Sequence, residues 1–250
     1  MIEILFLMLA AFGAGIVNAL AGGGTFLTFP ALVFTGVPPV IANATSTVAV
    51  FPGYLGGALG YGRELKTFAR RELVRLTVIT FAGGLVGSLL LLVSSNEAFS
   101  AVVPFLLLIA TISFMYGDQI RAWSQERAGG VTPQGAFGLF AVSVYGGYFN
   151  GGLGIILLAL FSLWGMTDIN RMNGLKMGLS CALSAISVTA FAVAGIVEWP
   201  QAVVMMVAST LGGYLGAPLA RALPDSVVRG FVIAMGFTMS AVFFWRFFAG

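Results

Sequence analysis

From Leu76 to Val93 the chain runs without a charged side chain, and comparable runs recur from end to end. A run near 20 apolar residues is what a helix needs to cross the ~30 Å hydrocarbon core of a bilayer. Inside lipid every backbone N–H and C=O must be satisfied by the protein itself, which leaves helices and closed barrels. The ten-residue alternation of barrel strands is absent, so helices are expected. Composition agrees. The 250 residues are 59% hydrophobic and 8% charged, against roughly 25% charged in a soluble domain. Twelve Lys/Arg and nine Asp/Glu are too few to cover a water-facing surface. The sequence therefore predicts an all-α polytopic membrane protein, a single membrane domain over residues 1–250 embedded in a lipid bilayer. The net charge of +3 reports membrane orientation, not nucleic-acid binding. Cys181 is the single cysteine, which excludes an internal disulfide and any CxxC site. The N-terminal Met1-Ile-Glu-Ile-Leu-Phe-Leu lacks the basic first region and cleavage site of a signal peptide, so it is expected to stay in place.

Two apolar stretches are interrupted in an unusual way. Gly13–Pro30 carries five glycines, Asn18, Thr25, Thr28 and a proline, and Tyr145–Leu158 is a weaker copy with Asn150-Gly-Gly-Leu-Gly154. The piece after the first break, residues 25–36, is too short to cross the bilayer at 1.5 Å per residue. Residues 155–165 form its counterpart, again ending in glycine. Three full spans follow each break: 41–61, 76–93 and 99–116 in the first half, then 174–196, 201–219 and 230–248 in the second. Residues 118–133 read as a polar linker between repeat 1 (residues 1–117) and repeat 2 (residues 134–250). The repeat shows in detail. Ala82-Gly-Gly-Leu-Val-Gly87 matches Leu211-Gly-Gly-Tyr-Leu-Gly216, Gly36 matches Gly165, and Asn43 matches Asn173. The Gly-Gly-x-x-Gly pair reads as close helix packing by small residues.

Arginine placement orients the halves. If each break forms a re-entrant hairpin, each half has three spans and the two halves are inverted. Loops 62–75, 118–133, 166–173 and 220–229 then share one side with ten Lys/Arg, and the other side has only Arg246. If residues 2–21 and 134–148 cross fully, the halves are parallel four-helix repeats with eight spans, and the basic residues split eight to three. The positive-inside rule favours two inverted repeats, each a broken or re-entrant helical hairpin plus three transmembrane helices.

Irregular backbone at membrane depth has to be buried in protein or to line a cavity. Inverted repeats with broken helices place the binding site at their midplane interface. Helices beginning after Gly22, Gly23 and Gly24, and after Gly151, Gly152 and Gly154, present amides and a positive dipole end to an anion. Asn18, Thr25 and Asn150 add neutral hydrogen-bonding groups. Asn43, Thr45 and Ser46, with Asn173 and Lys176 as their counterpart, form the other polar group inside spans. Lys176 is five residues beyond Arg171, roughly 7–8 Å deeper along a helix, where a lysine is costly and functional by default. Plainer readings stand beside these: glycines that only permit packing, a snorkelling lysine, and hydroxyls bonded to helix backbone. There is no histidine, no carboxylate inside a span except Glu3 near the first end, and no Walker A, GxSxG or HExxH motif. No catalytic residue, metal ligand or cofactor is expected, and the chain does not read as an enzyme.

Asn18-x-x-Ala-Gly-Gly-Gly with Pro30, then Gly36-Val-Pro-Pro-x-x-Ala-x-Ala-Thr-Ser46, resembles the first signature of the TauE/SafE sulfite exporter family, the toluene-sulfonate uptake permease group. Gly147-Tyr-Phe-Asn-Gly-Gly-Leu-Gly154 through Gly165, Asn173-Gly-Leu-Lys176, Gly195-x-Val-Glu-Trp199 and Gly212-Gly-x-x-Gly216 resemble the second. The resemblance covers nearly the whole chain. It implies transport of sulfite or an organosulfonate such as sulfoacetate. Family members often have Thr just before the lysine, where this chain has Leu175, and Leu153 interrupts the second set of glycines.

The combined expectation is a transporter in the inner (plasma) membrane that exports a small sulfur oxyanion. Moving one negative charge out of a negative interior gains about 2.3 kcal/mol per 100 mV, so no carboxylate relay is needed. The alternatives are an anion channel with the same site, or a non-transporting membrane subunit that anchors a partner.

Overall fold

The computed structural model describes residues 2–21, 23–126, 135–222 and 225–248, with the side chains of some of these undescribed. Among them all regular structure is helical. The elements are α1 (Ile2–Ala21), α2 (Thr25–Phe34), α3 (Pro39–Gly60), α4 (Gly62–Leu65), α5 (Arg70–Val93), α6 (Asn96–Met115), α7 (Gly117–Glu126), α8 (Ala136–Tyr148), α9 (Leu153–Leu163), α10 (Ile169–Val193), α11 (Trp199–Ala222) and α12 (Asp225–Phe248).

Local chemistry sets the boundaries. Pro39 opens α3 at the first helical position, where its missing N–H costs nothing. Ser95 caps α6 by accepting from the Ala98 N–H at 3.1 Å, and Asp168 caps α10 by accepting from Asn170 and Arg171. The matched glycines 36 and 165 are matched helix stops. Each is left-handed, with φ of 89° and 82°. In each case the following amide reaches back six residues in all, Val37 to Leu32 and Met166 to Phe161, a Schellman closure.

Three helices among the described residues are long and apolar enough to cross a membrane: Arg70–Val93, Asn96–Ser113 and Ile169–Val193. The first presents Val78, Phe81, Leu85, Val86, Leu89 and Leu90 outward, as a lipid-facing surface requires. α3 has 22 residues, about 33 Å of helix, but its Asn, Thr and Ser lower its hydropathy. Its residues 42–50 are all buried, so those polar groups face protein. The short pieces are as short as their sequence implies: α2 has 10 residues and α9 has 11, about 15–17 Å each. The first limbs differ. α1 has 20 residues and α8 has 13.

The expected polar linker 118–133 is helical in its first part. Residues 117–126 form α7, which packs on α9. Gln, Arg, Ala and Glu are good helix formers, and the polarity that marked a linker marks an amphipathic helix instead. Residues 127–134 lie outside the described residues. The basic stretch 62–75 is likewise partly helical, since it holds α4 and the start of α5.

The principal pairings are α1 with α11, α5 with α8, α3 with α10, and α6 with α12; α3 also packs on α11, and α10 on α5. The Gly-Gly-x-x-Gly segments make the first two possible. A Cβ on Gly87 would meet the Val144 carbonyl of α8, and one on Gly212 would meet the Phe12 carbonyl of α1. Backbone touches backbone there, as the sequence reading of these glycines holds. α3 and α10 run antiparallel. Gly174, near the start of α10, lies against Tyr61 and Glu64 past the end of α3, whereas Glu198, beyond the end of α10, donates its N–H to Thr45 Oγ1 near the start of α3. α6 and α12 are antiparallel too, with Ser240 against Pro104 and Gly236 against Thr111.

Candidate functional site

The two breaks are built differently. In the first, Gly24 is the N-cap of α2 in right-handed geometry and no side chain caps it. The first-turn amides close onto its own loop: Phe26 N–H donates to the Gly23 carbonyl at 3.1 Å, and Leu27 and Thr28 donate to Gly24. A Cβ on Gly24 would lie 2.9 Å from the Ala14 carbonyl, so the loop folds back on α1. Gly23, Gly24 and Thr25 are buried. Gly22 lies outside the described residues. Thr28 bonds Ser46 at 2.6 Å, hydroxyl to hydroxyl, which ties α2 to α3.

In the second break the chain reverses through two left-handed residues, Asn150 (φ 58°) and Gly152 (φ 70°). Asparagine is among the few side chains that tolerate this conformation. The Tyr145 hydroxyl donates to the Gly151 carbonyl at 2.5 Å and fixes the loop from the α8 side. Leu153 N–H donates to Asn150 O, and Ile155 and Ile156 to Gly152 O. That leaves the buried Gly152 and Gly154 amides without an acceptor among the described residues. Neither polar atom of the Asn150 side chain, itself 1% exposed, has a partner. The Tyr54 hydroxyl stands next to it without closing a regular hydrogen bond.

Both breaks meet α3, and on adjacent residues. Asn18 Nδ2 lies 3.4 Å from where a Gly53 Cβ would be, and Tyr54 is the neighbour of Asn150. Lower on α3, Asn43 Nδ2 donates to the Tyr148 carbonyl at 2.8 Å, and its Oδ1 has no partner. Thr45 is used elsewhere: its hydroxyl holds the α10–α11 turn. The expected site residues that are described therefore divide between the two breaks, α3 and α10, with Thr45 turned to the α10–α11 turn.

Lys176 lies on α10 at 4% exposure. Among the described residues no hydrogen bond or ion pair reaches its ammonium. It shares a stripe of α10, at spacings of three and four residues, with the half-buried Asn173 and with Ser180, Ser184 and Ser187. On one flank of this stripe, Met172, Leu175, Leu179 and Leu183 pack on the α8–α9 pair; on the other, Met177 and Cys181 pack on Val50 and Tyr54 of α3. The stripe thus faces the wedge between the α8–α9 pair and α3, with its Ser184 end nearest the second break, where Leu183 meets Leu153. Ser187 accepts from Ser88 at 2.9 Å, but Ser180 and Ser184 hydroxyls have no partner. The sequence reading missed these two serines, and Tyr54 and Tyr145 with them. Their i+4 and i+8 spacing from Lys176 was the available signal. Ser46 is the repeat counterpart of Lys176, 130 residues earlier, and spends its hydroxyl on Thr28.

Two cavities flank this centre. One of about 380 Å³ lies among α1, α3, α10 and α11, with Asn18, Gly53, Met177 and Ser209 in its wall, and extends to Tyr61 beside the basic segment. Another of about 320 Å³ lies at the α2–α3 turn, lined by Pro38, Asn96, Glu97 and Phe243. Between the latter and Asn150 stands an aromatic cluster: Phe29 contacts Phe99, Phe149 and Phe243 at 5.6–6.1 Å between ring centroids.

The sequence profile of the family described as Sulfite exporter TauE/SafE matches residues 7–243. The chain belongs to the TauE/SafE family. Relatives of this TauE/SafE protein include a probable membrane transporter protein of Haemophilus influenzae, 29% identical over 243 residues, 94% of this chain and 92% of the relative. Others are the probable membrane transporter protein ORF9 of Sinorhizobium sp., 26% identical over 94% of this chain and 90% of the relative, and the probable membrane transporter protein YfcA of Escherichia coli K12, 25% identical over 94% and 87%. No solved structure matches significantly. The match spans both breaks, α3 and α10, so the whole centre of this TauE/SafE chain belongs to what the family shares in length. Family and relatives make it a membrane transporter; the names of these relatives state no substrate.

Proposed function

We propose that the protein exports a small sulfur oxyanion, sulfite or an organosulfonate, across the inner membrane. The anion is bound between the second break and α10 and is passed by rocking of two inverted halves, residues 1–117 and 134–250. The observation that carries this reading is the buried, unpartnered side chain of Asn150 next to the Gly152 and Gly154 amides at the start of α9; Lys176, on α10, is the one buried charge among the described residues. Buried polar groups are almost always satisfied, and amides at a helix N-terminus with a neutral side-chain donor beside them are groups suited to an anion. The first break, with Asn18 and Gly23–Thr25, supplies the facing surface through α3. Thr45 and Ser46, with hydroxyls already engaged, hold the scaffold.

Three relationships support inversion. Equivalent helices α3 and α10 pack antiparallel, as do α6 and α12. The pairs α1 with α11 and α8 with α5 exchange into each other when the halves are swapped. The 62–75 segment and the start of α10 share one end of the molecule, joined by Arg171 Nε donating to Thr67 Oγ1 at 3.0 Å. A single lysine in the centre and no spanning carboxylate suit a carrier driven by the membrane potential.

Purified protein in liposomes loaded with radiolabelled sulfite tests the reading. Efflux that saturates, and accelerates with unlabelled sulfite outside, is expected. Large single-channel currents instead would assign a channel, and no movement of sulfite, sulfoacetate or thiosulfate would assign a non-transporting subunit.

A further inference from the structure

We infer that Lys176, with Ser180 one turn along, is an anion station of its own, separate from the Asn150–Gly154 loop, and that the transported anion occupies the two in turn. The inference rests on the transport reading above and divides its site in two.

A buried ammonium calls for a counter-charge. Lys176 is 4% exposed, and the carboxylate that approaches α10 does not serve it. Glu64 of α4 lies 3.0 Å from where a Gly174 Cβ would be, and Leu65 lies at Gly178. Each of these glycines is two residues from Lys176, roughly 200° around the helix, so α4 covers the opposite face. The face that carries Lys176 carries hydroxyls instead. Hydroxyls on helices have a default partner, the carbonyl four residues back. Thr47, Ser88, Thr111, Ser143, Ser162 and Thr189 all take it, at 2.6–3.0 Å. Ser180 and Ser184 do not, although they are only 1% and 0% exposed. They leave two donors beside the ammonium with nothing in the protein to receive them.

The repeat acts as an internal control. Ser46, Val50 and Tyr54 of α3 stand 130 residues before Lys176, Ser180 and Ser184. Ser46 shares its hydrogen bond with Thr28, Val50 is apolar core, and Tyr54 is taken up beside Asn150. The charge and the free serines therefore belong to α10 alone and are no by-product of duplication.

The row has a direction. Its Lys176 end lies toward the basic end of the molecule, where Gly174 meets Tyr61 and Glu64. Met177, the next residue, lines the cavity of about 380 Å³ that extends to Tyr61. Its Ser184 end lies toward the second break, since Leu183 and Leu153 both meet Gly146. Lys176 and Ser184 are eight residues apart, about 12 Å along the helix, too far for one sulfite-sized anion to touch both ends. An anion from the basic end meets the charged station first. It then passes Ser180 and Ser184, keeping a donor throughout, and reaches the uncharged station of Asn150 and the Gly152 and Gly154 amides. The charge makes the first station the tighter, and the neutral one releases more readily.

The experiment is equilibrium binding of radiolabelled sulfite to the full chain, with efflux from liposomes, for Lys176→Met, Asn150→Gly and the double variant. Glycine keeps the left-handed backbone at residue 150. When one anion uses two stations in turn, their association constants add and the tighter sets the affinity. Lys176→Met should raise the apparent Kd about tenfold or more and leave residual binding. Asn150→Gly should hold the parent Kd within about twofold and slow efflux about tenfold, and in the Lys176→Met background it should remove the residual binding. A single site touching both residues gives another pattern, in which each variant weakens binding and the two losses multiply. That pattern, or parental binding by Lys176→Met, overturns the inference while transport itself stands. No binding of sulfite, sulfoacetate or thiosulfate by the parent overturns the transport reading together with it. Ser180→Ala gives a second readout. It should raise the Kd about tenfold without lowering the melting temperature, since its hydroxyl has no partner to lose. A lower melting temperature with unchanged Kd would make Ser180 structural and overturn the station.

Discussion

Arg171 and Thr67 are 104 residues apart in sequence, yet the Arg171 Nε donates to the Thr67 hydroxyl at 3.0 Å, and the guanidinium sits 4.7 Å above the Phe68 ring. The start of α10 and the basic segment before α5 therefore occupy one end of the molecule. Parallel repeats would put them on opposite sides of a membrane; inverted repeats put them on one. Single cysteines in a Cys181→Ser background decide it. Lys66→Cys and Thr167→Cys, both at exposed positions, should label from the cytoplasmic side, and Glu97→Cys and Ala194→Cys from outside. Labelling of residues 66 and 167 from opposite sides would sink the inverted arrangement.

The close pairings of α5 with α8 and of α1 with α11 depend on bare backbone. Gly87→Ala and Gly212→Ala each push a Cβ into a carbonyl of the facing helix, where neither backbone can yield alone. Each should cost about 1–3 kcal/mol and lower the melting temperature in detergent. Gly230→Ala, where a Cβ meets nothing within 4 Å, is expected to leave stability unchanged or raise it slightly. Equal tolerance of all three would mean that the pairings are looser than the backbone contacts require.

These glycines also mark what the sequence could convey. The breaks, the short helices after them, the matched stops at Gly36 and Gly165 and the small-residue seams were all legible, because each leaves a local signature in residue type or spacing. The division of labour among polar residues was not. Asn43, Thr45 and Ser46 look alike in sequence as one polar patch. Only the packing shows Asn43 bonded to the other half, Thr45 to a distant turn and Ser46 to Thr28. Ser180 and Ser184 were hidden for the opposite reason. A serine on an apolar helix usually bonds its own backbone; the spacing from Lys176 puts these two on its face of α10 but does not announce that they lack that bond. The polar stretch after Met115 misled because hydrophilicity marks an amphipathic helix as readily as a loop.

Asn43 and Thr45 can be separated by experiment. Asn43→Ala removes the 2.8 Å bond to the Tyr148 carbonyl and leaves that carbonyl beside the second break unpaired. A net loss of about 1 kcal/mol corresponds to a melting temperature about 2–4 °C lower for a chain of this size, and transport should fall with it because the loop carrying Asn150 loses its tie to α3. Thr45→Val breaks the bond from Glu198 N–H and should cost similar stability while sparing substrate affinity. Loss of affinity in Thr45→Val with none in Asn43→Ala would place the site beside the α10–α11 turn instead.

Lys176 provides the sharpest separation of stability from function. A lysine that is structural in a buried place has a partner, and its removal leaves that partner unpaired and the protein weaker. Lys176 is 4% exposed without a partner among the described residues, so its charge is a cost in the empty protein. Lys176→Met keeps the length and apolar bulk of the side chain and removes the charge. The melting temperature of the empty protein is therefore expected to stay level or rise. Affinity for sulfite should fall by about tenfold to a hundredfold, the range for a lost hydrogen bond to a charged group, and the stabilisation that saturating sulfite gives the parent should shrink accordingly. Lys176→Arg keeps the charge on a wider, planar head in a space shaped for an ammonium, and is expected to recover only part of the affinity. A destabilised Lys176→Met protein that still binds sulfite like the parent would show the lysine to be a scaffold element and would move the anion site away from α10.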